Sequence, residues 1–480
     1  MRMGLGSRVS PVFAAFAAGA LVGAGVLIVA ACAVALRTPP AKPAHAGGAD
    51  AGGATAGSAA AFYGVTDAEG TPLIRVRIVR GGRRVTVGGP DAVFVSVGES
   101  DSAGAGEPAR LLTPIELSVE GGAWRLRRIV EPPTAARVVP MGAGRELRIA
   151  PAPADEPGAS GPAALLTLDG TALPGSLRLH ARTGADAAGR FDVVEHVPIE
   201  LYLPGVVAKE LYRHWLPETF RAQAIAARTY ALHERQRRLS RGDHFDVEAT
   251  TADQAYGGAT AHERSHDAVR STRGVVVTWR GGLLRTYYSS TTGGRAASAR
   301  DVWPVTRGFE YNLAAPIQAG PRDDADAFSP LYRWTIERET RDLVRRFRAF
   351  GVDEGLDVER IRSIASIDPV ARNEFGRPTR YRVTDAGGKS FELTAEEIRR
   401  ACNYPGSGAL RIGRVKRSDR VPSGDFTATV AGGTVTFEGR GFGHGVGMSQ
   451  YGAEGMARRG MTAEQILGHY YPGARLERAY

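Results

Sequence analysis

The sequence predicts an α+β protein: a β-rich N-terminal region, followed by a mixed α/β core that carries an inserted α/β subdomain. Two observations support this fold class. Between residues 62 and 189, short apolar runs alternate with polar residues, as Ile74, Val76 and Ile78 do, which is the pattern of half-buried strands. From residue 190 onward, segments with helical spacing are interleaved with strand-like runs. A chain of 480 residues is long enough for two to three domains.

The first 36 residues predict a membrane anchor or a lipoprotein signal. Arg2 and Arg8 precede an apolar run over residues 11–36, which is long enough to span a bilayer. Residues 29–32 also resemble the lipobox of bacterial lipoproteins, in which the cysteine, here Cys32, becomes lipidated. Residues 37–61 are mainly Pro, Ala and Gly and predict a disordered linker. Both alternatives predict an exported protein held at the cell envelope.

Composition and charge exclude several classes of protein. Because Cys32 belongs to the predicted anchor, Cys402 has no partner, and neither a disulfide framework nor a cysteine-rich zinc site is expected. The net charge of +10 comes almost wholly from arginine. This excess is explained either by codon bias in a GC-rich genome or by attraction to an anionic polymer. No basic run is interleaved with aromatic residues, so nucleic acid is not a predicted partner.

The β-rich region covers residues 62–189. Strands are predicted where apolar residues cluster or alternate, at residues 74–78, 85–87, 93–97, 165–168, 177–179 and 191–194. Residues 104–162 are rich in Pro, Gly and Ala, and this composition predicts an insertion or a loosely packed subdomain.

The core begins with two predicted helices within residues 197–232, separated at Pro217 because proline lacks an N–H and disfavours helical backbone before it. In the first helix, Glu210 shares a face with Val207, Leu211 and His214 at i, i+3, i+4 and i+7 spacing. Partial burial on this face would raise the carboxyl pKa and suit Glu210 to donate a proton. Its alternative is a surface carboxylate paired with a basic neighbour.

Further elements follow in order. In the second helix, Gln223 and Tyr230 are seven residues apart and share a face. A helix at residues 263–271, a hairpin at 275–288, and an inserted subdomain at about 333–420 are predicted next. The run at residues 289–294 is a hydroxyl-rich loop, suited to sugar hydroxyls if it lies at a cleft. A strand at 434–437 leads into a glycine-rich loop that presents His444, Ser449 and Gln450. Ser449 is predicted to cap the next helix, and Thr462 and Gln465 form a capping box for the last.

One short motif suggests a different chemistry. Residues 262–266, HERSH, fit the H-E-x-x-H pattern of zinc peptidases, in which two histidines bind the metal and the glutamate activates water. Arg264 and Asp267 place charges where such helices are packed and neutral, and no glutamate follows before Glu310 to act as a third ligand. A solvated helix face is therefore the preferred interpretation, and no metal site is predicted.

The motifs together resemble one known family. The segments VPIELYLPGVVAKEL, PETFRAQAIAARTYAL, TTADQAYGG, YYSSTTGG and GRGFGHGVGMSQYGAEGMARRG occur in the order seen in the SpoIID/LytB family of bacterial cell-wall proteins. The resemblance covers about residue 190 to the C-terminus. It implies a SpoIID-like core and a lytic transglycosylase that cuts peptidoglycan glycan strands without stem peptides, with Glu210 as catalytic acid. Where many relatives have a histidine, this chain has Ser289, which argues against the zinc that some relatives hold.

The leading hypothesis from the sequence is therefore an envelope-anchored lytic transglycosylase that forms 1,6-anhydro-N-acetylmuramic acid ends, with Glu210 catalytic and no cofactor. The alternative is a non-catalytic glycan-binding module that enhances a cell-wall amidase. Predicted partners are peptidoglycan strands and the membrane through the N-terminus, with a cell-wall amidase as a further partner under the alternative. The residues predicted to line the glycan groove are Gln223, Arg228, Tyr230, Ser290, Thr291, His444 and Gln450. Arg228 lies on a different side of its helix, so a structural role for it stays open.

Overall fold

A computed structural model describes residues 66–67, 69–97, 108–130, 137–140, 146–151, 165–184 and 187–480. It confirms the predicted α+β class, with helices and several small sheets. The predicted anchor and linker, including Cys32, lie outside the described residues. Within the described residues, no helix combines the length and the apolar character needed to cross a membrane.

Two sheets form the N-terminal region. Strands β1–β12 are Leu73–Gly82, Arg84–Gly88, Ala92–Val97, Ala109–Leu112, Ile115–Glu120, Ala123–Arg128, Arg137–Pro140, Glu146–Pro151, Leu166–Leu168, Thr171–Leu173, Ser176–Ala181 and Phe191–Pro198. One sheet has the order β10-β9-β2-β5-β6-β7. The other contains β1-β12-β11-β8-β3-β4 and gains a seventh strand, β13 (Val247–Glu248), parallel to β1.

The two sheets share one hydrophobic core, to which both contribute inward-facing residues such as Leu117 and Leu179. Here the structure corrects one prediction. Strands β4 to β8 fall within residues 104–162 and belong to these sheets, so the described parts of this region are not a separate, loosely packed subdomain. The Pro, Gly and Ala content made the alternation of buried and exposed residues in these short strands hard to recognise. The buried positions are Ile115, Leu117, Trp124 and Leu126.

The core domain is built around two helices, α1 (Ile199–Glu210) and α2 (Pro217–Leu239). Its further elements are α3 (Glu263–Ser271), β14 (Val275–Trp279), β15 (Gly282–Leu283), β16 (Tyr288–Ser289) and α4 (Ala299–Val302). The alanine-rich α2 is almost entirely buried and packs against α1, α3 and β14. Small side chains let these elements approach closely, which makes α2 the scaffold of the domain.

The boundary between α1 and α2 lies near the predicted proline, but α1 is shorter than predicted. Leu211 is extended, at φ −121° and ψ 154°, so Leu211 and His214 do not continue the helical face. The chain instead turns so that Trp215, which is 1% exposed, packs edge-to-face on Tyr451 at 4.9 Å. Burial of this indole outweighs continuation of the helix.

The insert has its own hydrophobic core. Its elements are β17 (Trp334–Glu339), α5 (Thr340–Glu354), β18 (Ser366–Arg372), β19 (Pro378–Thr384), β20 (Ser390–Thr394), α6 (Ala395–Cys402), β21 (Phe426–Ala431) and β22 (Thr434–Gly439). Strand β22 pairs with β17 so that Trp334 lies opposite Gly439. The chain therefore enters and leaves the insert at neighbouring positions.

The C-terminal segment returns to the core domain as β23 (Met448–Ser449), α7 (Gln450–Arg458), α8 (Ala463–Tyr470) and β24 (Arg475–Arg478). The Ser449 side chain accepts a hydrogen bond from Gly452 N–H, and Thr462 with Gln465 forms a reciprocal capping box, so both predicted caps are confirmed. Strand β24 pairs with β14, while β23 pairs in parallel with β16.

Candidate functional site

Glu210 is the last residue of α1, and its side chain is fully buried. Oε2 accepts a hydrogen bond from the Gln450 side-chain amide at 2.9 Å, whereas Oε1 has no partner among the described residues. Burial raises the pKa of Glu210 to about 7, and hydrogen bonds from Gln450 and from the Ala255 backbone offset part of that rise. A carboxylic acid in this state is suited to both donating and accepting a proton near neutral pH.

Gln223 and Gln450 complete a polar cluster with Glu210, which we call the buried triad. The amide nitrogen of Gln450 lies 3.5 Å from Oε1 of Gln223, and both side chains are at most 1% exposed. Gln450 begins α7, directly after the Ser449 cap, and Gln223 lies on α2. Gln223 Nε2 and Gln450 Oε1 also lack partners among the described residues. Three unpaired polar atoms in one buried cluster mark it as a functional-site candidate, since buried polar groups are normally paired.

Arg228 and Tyr230 have other partners. The Arg228 guanidinium forms a two-point ion pair with Glu200, at 2.9 Å for each contact, and donates to the carbonyl oxygens of Val269 and Val275. It therefore ties α1, α2, α3 and β14 together. The Tyr230 hydroxyl contacts Asp253 at 3.3 Å and accepts from Arg285 at 3.0 Å.

The hydroxyl-rich loop is organised by Asp326, a residue that the sequence analysis did not single out. Asp326 Oδ2 accepts hydrogen bonds from the Thr291 hydroxyl at 2.7 Å, the Thr292 N–H at 2.8 Å and the Ser449 hydroxyl at 3.2 Å. Ser290 is buried beside this loop, and its carbonyl accepts from the Tyr451 N–H at 3.0 Å. No local pattern around residue 326 could have indicated this role, because its partners come from two distant segments.

His444 lies in an aromatic environment. Its Nδ1 accepts from the Val446 N–H at 3.0 Å, and its ring packs edge-to-face on Trp303 at 4.8 Å. Trp303 in turn stacks on Tyr287 at 3.9 Å. Burial, together with the positive charges of Arg399 and Arg377, lowers the pKa of His444 to about 3. His444 is therefore a neutral ring at physiological pH.

A cavity of about 640 Å³ lies beside the C-terminal end of α1, and we call it the Lys209 cavity. It is next to the buried triad, since Lys209 directly precedes Glu210 and the backbone of Ala255 faces the Glu210 carboxyl group. The core domain contributes one wall and the insert the other; the lining residues are Lys209, Ala249, Thr250, Thr251, Ala255, Tyr256, Asn403, Pro405, Arg414, Val415 and Arg420. Lys209 could have been noticed in the sequence as the residue directly before the candidate acid.

The histidines of the HERSH motif are used by the fold. His262 caps α3, with Nδ1 2.8 Å from the Ser265 hydroxyl, and its ring stacks on Phe220 at 5.4 Å. His266 Nε2 donates to the Thr260 carbonyl at 2.8 Å. Cys402 is buried in the core of the insert. Across the part of the chain that the structure describes, no three His, Cys, Asp or Glu side chains are grouped to hold a metal ion.

Comparisons with known proteins match the motif-bearing region. Residues 187–279 match the family model described as Stage II sporulation protein (SpoIID), and residues 310–447 match a domain of unknown function. The chain is 28% identical to Stage II sporulation protein D of Bacillus subtilis (strain 168) over 300 residues, which cover 60% of this chain and 76% of that protein. An uncharacterised protein of Brachyspira hyodysenteriae is 29% identical over 282 residues, 58% of this chain and 67% of the relative.

A further relative bears a different name. The amidase enhancer of Bacillus subtilis (strain 168) is 27% identical over 304 residues, which cover 57% of this chain but only 40% of that protein. The chain thus spans less than half the length of this relative. The family match and the named relatives agree with the order of motifs read from the sequence, and together they support a SpoIID family protein.

Proposed function

We propose that the protein acts on the bacterial cell wall as a lytic transglycosylase, which cleaves the bond between N-acetylmuramic acid and N-acetylglucosamine in peptide-free glycan strands. The observation that carries this proposal is the buried acid Glu210, with a pKa of about 7 and one unpaired carboxyl oxygen beside a cavity of sugar-binding size. The family match and the names of the relatives support action on the cell wall.

Glu210 would carry both proton transfers. As the acid, it protonates the glycosidic oxygen while the bond from that oxygen to C1 of the muramic acid breaks. As the resulting carboxylate, it removes the proton of the C6 hydroxyl, whose oxygen bonds to C1 and closes the 1,6-anhydro ring. The proton count balances and no water is consumed. A single carboxyl group suffices, in contrast to the two carboxyl groups of most glycoside hydrolases.

Access to Glu210 sets a condition on this mechanism. The side chain has 0% exposure, so a glycan reaches it only when a covering group moves. The Ala255 backbone faces the Glu210 carboxyl group, and Ala255 lines the Lys209 cavity. We therefore place the glycan in the Lys209 cavity and assign the opening to the segment around Ala255. Envelope location remains part of the proposal and rests on the apolar run at residues 11–36.

The same burial favours a second candidate function. A protein whose acid stays covered would bind glycan without cutting it, and would act by stimulating a separate cell-wall amidase. One relative is named an amidase enhancer. In this case the buried triad has a structural role, and the Lys209 cavity is the functional part of the site.

Product analysis separates the two functions. Peptide-free glycan strands are incubated with the purified protein, and the products are examined by mass spectrometry. We expect 1,6-anhydro-N-acetylmuramic acid ends, whereas reducing ends would indicate a hydrolase. Intact strands, together with faster peptide release by an added amidase, would favour the enhancer function instead.

A further inference from the structure

The Lys209 cavity is strongly basic. Three cationic side chains line it: Lys209 from the core domain, and Arg414 and Arg420 from the insert. Its remaining lining residues are uncharged, so no carboxylate in the wall offsets these charges. The electrostatic potential of the cavity is therefore positive, which favours an anionic ligand.

These three cations are also unpaired. Neither Lys209, Arg414 nor Arg420 makes an ion pair or a side-chain hydrogen bond with another of the residues that the structure describes. Some other arginines of the insert do have an acidic partner, since Arg338 and Arg346 share Asp342. The pKa of Arg420 is lowered, first by partial desolvation and then by the positive charges of Arg399 and Arg414, which repel it. An anion in the cavity would relieve this repulsion.

The backbone that carries part of the basic wall is anchored by hydrogen bonds. The Arg346 guanidinium donates to the carbonyl oxygens of Tyr404 at 2.6 Å and Gly413 at 2.9 Å, which fixes the segment that carries Arg414. On the opposite wall, the Lys209 side chain lies directly against Gly257, where an added Cβ would come within 2.4 Å of Lys209 Cε. Anchored backbone on this wall lowers the entropic cost of bringing its cations onto an anion.

We propose that the Lys209 cavity binds the free lactyl carboxylate of a muramoyl residue, and that Arg414 and Arg420 of the insert give the protein its selectivity for glycan without stem peptides. The inference rests on the proposed cell-wall function. A lactyl group is anionic when free and becomes a neutral amide when a peptide is attached, so the three cations distinguish the two states. It also assigns a task to the matched domain of unknown function, from which both arginines come.

Binding to chemically modified strands tests the proposal. The full-chain Glu210→Gln variant, which is not expected to cut, is titrated with fluorescent peptide-free strands and with the same strands after conversion of their carboxyl groups to methylamides. We expect at least about tenfold weaker binding to the neutral strands, because each lost charge-assisted contact costs on the order of a tenfold change in affinity.

The arginines are tested with a charge-matched control. When Arg414→Gln and Arg420→Gln are added to the Glu210→Gln variant, the preference for unmodified strands should be lost. Adding Arg411→Gln and Arg417→Gln instead removes the same charge from the same exposed segment, but not from the cavity lining, and should leave the preference intact. If both pairs of substitutions lowered the preference equally, the effect would come from net charge alone, and the role assigned to Arg414 and Arg420 would be wrong.

Other outcomes discriminate between ligands and between proposals. A glycerol phosphate polymer that binds more tightly than the glycan, with the same dependence on Arg414 and Arg420, would overturn the carboxylate in favour of a phosphate. Carboxylate-dependent binding without any cleavage by the wild-type protein would uphold this inference while the transglycosylase proposal fails. Cleavage that is insensitive to methylamidation and to substitution of both arginines would uphold the transglycosylase proposal and overturn this inference.

Discussion

At the scale of single residues, the molecule contains a natural control for its candidate acid. Glu195, on β12, is also fully buried, and burial raises its pKa to about 7 as it does for Glu210. Their surroundings differ: Glu195 accepts from the Gly175 N–H at 2.8 Å and interacts with the side chain of Tyr256, whereas Glu210 lies beside the two glutamines of the buried triad. Comparing the two glutamates therefore separates catalysis from burial.

The first prediction concerns activity. Glu210→Gln should lower the rate of anhydro-end formation by about 100-fold or more, since general acid–base catalysis contributes about 10² to 10⁴. Glu195→Gln, which removes an equally buried carboxyl group, should retain most of the rate. Mass spectrometry of digested strands measures both. An equal loss in the two variants would mean that burial of a glutamate, rather than its chemistry, maintains activity.

The second prediction concerns pH and stability. Between pH 4.5 and about 7 the unfolded chain releases the Glu210 proton while the folded protein keeps it, so the free energy of unfolding falls as pH rises through this window. Glutamine has no proton to lose, so Glu210→Gln should be more stable than wild type above pH 7, by up to about 3 kcal/mol, and similar to it at pH 4. Denaturant unfolding at both pH values measures the difference. A gap that does not depend on pH would contradict the raised pKa.

At the scale of elements, two residue pairs unite the polar loops of the site. Strands β16 and β23 pair in parallel only through Tyr288 with Met448 and Ser289 with Ser449. This short ladder places the hydroxyl-rich loop beside the start of α7, where Asp326 accepts hydrogen bonds from both segments. The loop that follows β16 therefore depends on one carboxylate for its conformation.

The third prediction follows from that dependence. Asp326→Ala should lower the free energy of unfolding by about 2–4 kcal/mol, because it leaves several buried donors without an acceptor. Glycan cleavage should fall with it. Asp324→Ala, in the same segment but exposed, should cost less than about 1 kcal/mol. Chemical denaturation compares the two, and similar losses would contradict the organising role of Asp326.

The elements themselves were largely predictable from local chemistry. The helix at Glu263–Ser271 and the caps at Ser449 and Thr462 follow from side-chain periodicity and capping chemistry, which need no knowledge of the rest of the chain. The end of α1 and the role of Asp326 were not predictable. Both depend on contacts between segments more than 30 residues apart in the sequence, such as Trp215 with Tyr451 and Asp326 with Thr291.

The candidate site was also predictable only in part. Glu210, Gln223 and Gln450 were grouped from the family motifs, and the structure brings their side chains together. The hydroxyl of Thr291, also grouped with the glycan groove, donates to Asp326 instead, and Arg228 joins helices. The basic wall of the Lys209 cavity could not be predicted from the sequence. Arg414 and Arg420 are about 200 residues from Lys209 in the chain, and only the packing of the insert against α1 brings them to the same cavity.

At the scale of the whole molecule, the insert supports the core domain as well as the cavity. Arg377, on the insert and 3% exposed, donates to the carbonyl oxygens of Arg295 at 2.7 Å and His444 at 3.2 Å. Gly445, at φ +77°, has no side chain, and a Cβ there would lie 2.8 Å from this guanidinium. The glycine-rich loop of the core domain thus closes over an arginine of the insert. This contact is one of several that join the two hydrophobic cores, together with the ion pair between Arg295 and Asp425.

The fourth prediction is that this contact makes the two cores unfold together. Wild-type protein should show a single calorimetric transition for the core domain and the insert. Arg377→Gln removes a buried, hydrogen-bonded charge from beneath the glycine-rich loop and should cost about 3 kcal/mol, splitting the transition in two. Arg372→Gln, at the exposed end of β18, before the turn that carries Arg377, should keep the single transition. Cleavage should fall only in the Arg377 variant, since the loop that carries His444 and leads to Gln450 loses its support. Two transitions in the wild-type protein would instead mean that the insert folds independently, so that Arg377 only fills space beneath the loop.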